Sequence, residues 1–96
     1  MTPEEKVIDL LADGAQTEEE LRQEMEADGV NADELTRILG DLTEQDFAEV
    51  TNLNGKRVRR EGDRILDFTG LTLALTPAGI KRWMLEEEKR ERTNEA

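Results

Sequence analysis

Three helix-start signals follow one another in the first half of the chain, and each leads into a short apolar stripe. The first is Thr2, a capping residue followed by proline and two acids, which suits the positive end of a helix. The second is a capping box, with Thr17 at the cap and Glu20 three residues later. Asn31 and Glu34 repeat that spacing. These signals predict three short helices that pack together, because the third needs two neighbours to bury its stripe.

The apolar residues after each signal recur every three or four positions, which is the period of a helix with one buried face. Two polar turns, Asp13-Gly14 and Asp28-Gly29-Val30, separate the segments. The predicted buried positions are Val7, Ile8, Leu10 and Leu11; Leu21 and Met25; and Leu35, Ile38, Leu39 and Leu42. This periodicity argues against a disordered chain, although 39% of the residues are charged.

After residue 46 the helical period changes to the alternation of strands. Phe47–Thr51 is predicted as a short strand and Asn54-Gly55 as a hairpin turn, since both turn residues accept a positive φ. Lys56–Arg60 alternates as the next segment, and Glu61-Gly62-Asp63 is a second polar break. The residues expected to cover the open end of the helix bundle are Val50, Val58, Ile65 and Phe68.

The segment Leu71–Leu75 alternates leucine with small or polar residues and predicts one more strand. Thr76-Pro77 then begins a last helix, again with a cap and a proline in the first turn. The residues expected on its apolar face are Ile80, Trp83 and Met84. Beyond residue 85 the chain has no apolar stripe, and we expect one domain over residues 1–92 and a frayed tail at 93–96.

Helix, helix, turn, helix, hairpin and helix within 96 residues resemble the winged helix-turn-helix family. Glu20–Met25 resembles the first helix of its motif, Gly29–Asn31 the turn, and Glu34–Leu42 the recognition helix. Phe47–Val50 resembles the strand that leads into the wing. Leu73–Gly79 is similar to the x-L-T-x-x-G step that joins the wing to the last helix in MarR-like and PadR-like regulators. The resemblance implies an α+β fold, mainly α, in which a three-helix bundle carries a β-hairpin wing and a C-terminal helix.

The resemblance also implies a DNA-binding protein, a small transcription regulator of archaeal type, whose third helix enters the major groove. The exposed positions of that helix are predicted to be Ala32, Asp33, Thr36, Arg37, Gly40 and Asp41. Thr36 and Arg37 are the best DNA contacts among them, while the acids disfavour a phosphate-lined groove. The wing is therefore the main candidate contact.

The wing is the basic part of an acidic chain, in which residues 1–55 hold 16 acidic and 3 basic residues. The wing cations expected to contact the DNA backbone are Lys56, Arg57, Arg59, Arg60 and Arg64. One interpretation is that these cations bind DNA through the wing. The other is that the wing is a solvated hairpin, whose arginines pair with nearby acids and protect a strand edge from aggregation.

Two protein partners are alternatives to DNA or additions to it. The acidic face of the third helix can dock a basic partner or mimic the charge of DNA. Trp83 either anchors a homodimer through the last helix or packs across the bundle with Ile80 and Met84. The acidic stretches at 18–20 and 41–46 lack the spaced ligands of a calcium loop and are interpreted as solvated faces.

The composition excludes several functional classes. The chain has 24 acidic and 13 basic residues, no cysteine and no histidine, and a formal charge of −11. Disulfides, thiol or imidazole catalysis and ordinary zinc sites are thereby excluded, and we expect neither an enzyme nor a bound cofactor or metal. Abundant acids with few lysines resemble proteins of salt-loving archaea, since carboxylates stay hydrated in concentrated salt. With no signal peptide or membrane span in the sequence, we expect a cytoplasmic protein without membrane contact.

Overall fold

The computed structural model describes residues 1–53 and 57–94. Its four α-helices and five short strands give the mainly helical α+β fold that the sequence predicts. The helices are α1 (Pro3–Ala12), α2 (Glu18–Ala27), α3 (Ala32–Glu44) and α4 (Pro77–Asn94). The strands are β1 (Gln16–Thr17), β2 (Ala48–Val50), β3 (Arg60–Glu61), β4 (Arg64–Ile65) and β5 (Thr72–Leu75).

The three helix starts predicted from capping residues are confirmed. Thr2 Oγ1 accepts a backbone N–H from the first turn of α1 at 3.2 Å. The capping box of α2 is complete, since Thr17 Oγ1 accepts the Glu20 N–H at 3.1 Å and Glu20 Oε1 accepts the Thr17 N–H at 3.2 Å. Asn31 Oδ1 accepts the Glu34 N–H at 2.8 Å. Each cap satisfies an N–H that a helix leaves unpaired, which stabilises the fold by about 1 kcal/mol.

The apolar stripes of α1, α2 and α3 meet in the centre of the core, where Ile8, Leu21 and Leu39 are fully buried. Burial of each such side chain contributes about 1.5–3 kcal/mol. The predicted cover at the open end of the bundle is also confirmed. It consists of the buried Ile65 and Phe68 together with the partly buried Val50 and Val58.

The strand β2 has a different partner from the one that the sequence predicts. It pairs with β5, whose other edge pairs with β1, so the sheet has the order β1-β5-β2. Residues 57–59 lie in no strand, and the predicted turn at Asn54-Gly55 lies outside the described residues, as does Lys56. The strand β5 is the better partner because its alternating leucines supply a buried face, with Leu73 fully buried.

The wing is a hairpin of β3 and β4, which forms a sheet of its own. Arg60 pairs with Ile65 and Glu61 with Arg64, so the turn of this hairpin falls at Gly62-Asp63, within the segment that the sequence predicts as a second polar break. Gly62 has a φ of 64°. Glycine adopts this left-handed conformation without strain, which fits it to a hairpin turn.

The Leu-Thr-x-x-Gly step forms a tight junction between α3, β2 and α4. Thr76 Oγ1 accepts the Gly79 N–H at 3.1 Å and so caps α4, and the same hydroxyl donates to the carbonyl of Asp46. A Cβ atom on Gly79 would lie only 2.0 Å from the carbonyl oxygen of Phe47. Glycine is therefore required here because the first turn of α4 passes directly over the backbone that leads into β2.

Only part of the predicted apolar face of α4 is packed. Trp83 is half-buried against the core, whereas Ile80 and Met84 are 47% and 59% exposed. The prediction that Trp83 packs across the bundle together with these two residues is wrong for both of them. The face of α4 that meets α1 is instead fixed by Trp83 and by Arg82, whose Nη1 lies 3.2 Å from Glu4 Oε1.

The helix α4 continues to Asn94, inside the interval predicted as a frayed tail, and residues 95 and 96 lie outside the described part. Within residues 1–53 and 57–94, no helix is both long and apolar enough to cross a lipid bilayer.

Candidate nucleic-acid interface

Three arginines of the wing region point into solvent. Arg57, Arg59 and Arg60 are exposed, on and just before the strand β3. None of the three takes part in an ion pair within the part of the chain that the structure describes. Unpaired guanidinium groups can form bidentate hydrogen bonds with phosphate oxygens without first breaking an internal contact. These three residues form the solvent-exposed part of the predicted site.

Arg59 also acts on a neighbouring carboxyl group. The side-chain and backbone hydrogen bonds from Thr69 to Asp67, together with the positive charge of Arg59, hold the pKa of the Asp67 carboxyl below its usual range. The two Thr69 bonds to Asp67 Oδ1 measure 2.7 Å and 2.9 Å. Asp67 therefore stays ionised and offsets part of the positive charge at the base of the wing.

Arg64, the remaining described cation of the predicted set, is held by the third helix. Its Nη1 lies 2.6 Å from Glu44 Oε2 and its Nη2 lies 2.9 Å from Asp41 Oδ1. Nη2 also donates to the carbonyl oxygen of Arg37 at 3.3 Å. Hydrogen bonds to Asp41 and then to Glu44 raise the pKa of the Arg64 guanidinium. The structure thus joins Arg64 to α3 instead of presenting it with the other wing arginines.

Gly40 provides the surface on which this guanidinium rests. A Cβ atom on Gly40 would lie 3.0 Å from Arg64 Cζ and 3.0 Å from Nη2. The sequence pattern places Gly40 on the exposed face of the third helix, but the residue is buried, and this expectation is wrong. The reason is that Arg64 of the wing covers it.

The two predicted contacts on α3 are both engaged within that helix. Thr36 Oγ1 donates to the carbonyl oxygen of Ala32 at 2.9 Å. The Arg37 side chain is 61% exposed and lies between two acids, with Nη1 at 3.4 Å from Asp41 Oδ2 and Nη2 at 4.0 Å from Glu34 Oε1. Thr36 and Arg37 share a face of α3 with these carboxylates, so any phosphate approaching them also meets negative charge.

The described ranges contain no group of three or more acidic side chains placed to share a metal ion. Two acids of α3 near the wing, Asp41 and Glu44, form ion pairs with Arg64. The geometry of this region can bind an anion through the wing or a cation-rich partner through α3.

The sequence pattern did not reveal the contact between Arg64 and Gly40. Twenty-four positions separate the two residues, and no spacing rule links a glycine on a helix to an arginine on a distant strand. The one signal in the sequence is Gly40 itself, since an isolated glycine inside a helical pattern often has a packing reason.

Two solved structures match the fold of this chain. One is the C30AH42A mutant of Lactococcus lactis ZitR, with a TM-score of 0.69 and 18% identity over 99% of this chain and 56% of that chain. The other is the apo form of the same mutant, with a TM-score of 0.68 and 17% identity over 97% of this chain and 60% of that chain. The present chain therefore spans somewhat more than half the length of the ZitR chains.

No protein-family model matches the sequence, and no curated protein matches it at a significant level. The structural match extends over almost the whole chain. At this level of identity the likeness concerns the fold alone. The chain therefore has a winged helix-turn-helix fold, built from four helices, a small antiparallel sheet and a hairpin wing.

Proposed function

We propose that this protein binds duplex DNA as a small transcription regulator, resembling the MarR-like and PadR-like proteins, and that the wing makes the main contact. The observation that carries the proposal is the group of exposed wing arginines, Arg57, Arg59 and Arg60, which are free of ion pairs in the described part of the chain. Lys56 adjoins them in sequence and is proposed to contribute as well. Phosphate oxygens, or a narrow minor groove, are the natural ligands of such a group.

The third helix contributes less to this binding than a recognition helix normally does. Its exposed side carries Asp33, Glu34, Asp41 and Glu44 against the single exposed Arg37. Insertion of Arg37 into the major groove requires that it leave both of its acids, while the carboxylates approach the phosphates. We therefore assign affinity to the wing and only a minor share of sequence readout to Thr36 and Arg37.

The test is a fluorescence-anisotropy titration of a labelled duplex across salt concentrations, beginning at low salt. The three arginines contribute about −2.7 to the slope of log affinity against log salt, Lys56 adds about −0.9, and each arginine-to-glutamine change lowers the magnitude of the slope by about 0.9. The variants are R57Q, R59Q and R60Q, alone and together. K81Q is the matched control, since Lys81 is an exposed cation on α4, away from the wing. A triple variant that binds as tightly as the parent at low salt contradicts the proposal.

A second candidate function is docking of a basic protein on the acidic face of α3. The observation that favours it is the same row of carboxylates that opposes groove binding. Its test measures how much lysine-rich peptide the protein captures while duplex DNA competes for binding. The variant D33K reverses the charge at an exposed position of α3 without touching Arg64. Capture of the peptide that is unchanged in D33K excludes this face as its docking site.

The acidic composition supports the further proposal that the protein comes from a salt-loving archaeon, and we propose separately that it is cytoplasmic. Repulsion among 24 acidic residues is screened when salt is raised. The thermal midpoint is therefore expected to rise steadily between 0.1 M and 2 M KCl. A midpoint that does not depend on KCl argues for an ordinary acidic protein instead.

A further inference from the structure

The wing contacts the third helix where Arg64 of β4 lies against Gly40, Asp41 and Glu44 of α3. We infer that Arg64 is a positioning residue, whose guanidinium, seated on Gly40 between Asp41 and Glu44, fixes the direction of the wing relative to α3. In this role it presents Arg57, Arg59 and Arg60 to a duplex as one preset group. This inference rests on the proposed function, because the wing needs a fixed direction only if it delivers its cations to a ligand.

The wing needs such an attachment because its own structure is small. The hairpin consists of two strands of two residues each, and among the described residues no strand pairing joins it to the sheet β1-β5-β2. An isolated two-stranded hairpin has little stability in water. Ile65 is 8% exposed and anchors β4 in the core, and the partly buried Val58 packs against the same core just before β3. These apolar contacts hold the base of the wing, and Arg64, the residue before Ile65, adds a polar attachment to α3.

The seat and the guanidinium fit each other closely. The two carboxylates and the Arg37 carbonyl oxygen receive the guanidinium at 2.6–3.3 Å. Gly40 lets it approach the helix backbone, since a Cβ there would come within 3.1 Å of Nε as well as of Cζ and Nη2. Three acceptors from one helix and a missing side chain beneath them specify a single place for the Arg64 side chain.

A positioning role and a phosphate-contacting role for Arg64 differ in what they predict. If Arg64 contacts phosphate, its neutralisation removes one contact and lowers the magnitude of the salt slope by about 0.9. If it positions the wing, its loss leaves the number of contacts unchanged and lowers affinity at every salt concentration. Displacement of the guanidinium from its seat by a methyl group on Gly40 strengthens binding in the first case and weakens it in the second.

The experiment compares the parent with R64Q, G40A and R57Q, all in the full-length chain. G40A keeps every charge, and alanine is a better helix former than glycine, so this variant remains folded. Because the chain has no cysteine, D33C and D63C together introduce one spin-label pair between the start of α3 and the turn of the wing. Pulsed electron spin resonance then measures the distance distribution, and anisotropy measures DNA affinity and salt slope.

We expect a narrow distance distribution in the parent and R57Q, and a broadened one in R64Q and G40A. Because the released wing must become ordered when it binds, R64Q and G40A are expected to lose about threefold to tenfold in DNA affinity. Their salt slope is expected to equal that of the parent. R57Q alone has a smaller slope. Circular dichroism confirms that all variants are folded.

Three results overturn the inference: an unchanged distance distribution in both R64Q and G40A, a reduced salt slope in R64Q equal to that of R57Q, or tighter binding by G40A. A parent that does not bind DNA at low salt overturns the proposed function instead. In that case the distance distributions still decide whether Arg64 holds the wing.

Discussion

Trp83 Nε1 donates a hydrogen bond of 3.0 Å to Asp9 Oδ1, which joins the last helix of the winged domain to the first. Arg90 Nη2 lies 4.0 Å from the same carboxylate oxygen. The indole is half-buried against the core. This arrangement gives Trp83 an internal partner, so an anchoring role for it in a dimer stays a prediction that the contacts do not favour.

The first prediction concerns this hydrogen bond. D9A removes the acceptor and leaves the indole N–H without its protein partner, so the free energy of unfolding is expected to fall by about 1 kcal/mol. Urea denaturation followed by far-ultraviolet circular dichroism measures the change. D13A alters an exposed acid beside the same helix and serves as the control. Equal unfolding midpoints for D9A and D13A count against a stabilising role for the bond.

The second prediction concerns self-association through α4. Ile80, Met84 and Leu85 are 47%, 59% and 51% exposed, and they form the apolar part of its outer surface. If the protein is a homodimer, as proposed from the sequence, M84K weakens it by placing a charge in this surface. W83F leaves the dimer intact, because Trp83 faces the core. Sedimentation equilibrium measures the dimer dissociation constant of both variants. If W83F weakens the dimer and M84K does not, Trp83 is the anchor.

The third prediction concerns the junction at Gly79. G79A places a methyl group where the Phe47 carbonyl oxygen stands only 2.0 Å away, and backbone cannot yield as a side chain does. We expect a loss of about 3 kcal/mol or more in stability, at the upper end of overpacking costs. G40A is the matched control, because its methyl group meets only a flexible arginine side chain. Thermal unfolding compares the two, and similar midpoints would show that the close approach has little energetic weight.

The fourth prediction concerns pH. The pKa of the Asp67 carboxyl is depressed in the folded state by the Thr69 hydrogen bonds and then by Arg59. Its contribution to stability is therefore fully present above the unfolded pKa, near 4, and is lost as pH falls through the lower folded pKa. D67N flattens the dependence of the urea midpoint on pH below about 4. E49Q, at another exposed acid, keeps the parent's slope if the assignment is right.

Local signals predicted the helices well, and the pairing of distant segments escaped them. The caps at Thr2, Thr17 and Asn31 bond to residues three positions away, so spacing along the chain reveals them. The pairing of β2 with β5 depends on which strand offers the better buried face, which only the assembled core decides. Asn54-Gly55 is a strong local turn signal, so the sequence predicted the hairpin at that position. The hairpin that the structure describes turns at Gly62-Asp63.

In the candidate site, too, the sequence predicts some features and misses others. The exposed arginines Arg57, Arg59 and Arg60 follow from composition, since an arginine-rich segment in an acidic chain is expected at the surface. The different position of Arg64 follows from the neighbourhood of Gly40 and Asp41, which lie far away in sequence. Residue type thus predicted which side chains carry charge, whereas packing decided which of them have partners.

The uneven distribution of charge also affects the approach to a ligand, before any contact forms. The helical part, residues 1–55, has 16 acids and 3 bases, whereas the wing region exposes Arg57, Arg59 and Arg60. Near a polyanion, such a charge distribution experiences a torque that turns the acidic helices away and the wing forward. The range of this alignment shrinks from about 30 Å at 0.01 M salt to about 3 Å at 1 M. In concentrated salt the domain therefore loses its orientational guidance, and productive encounters depend on random rotation alone.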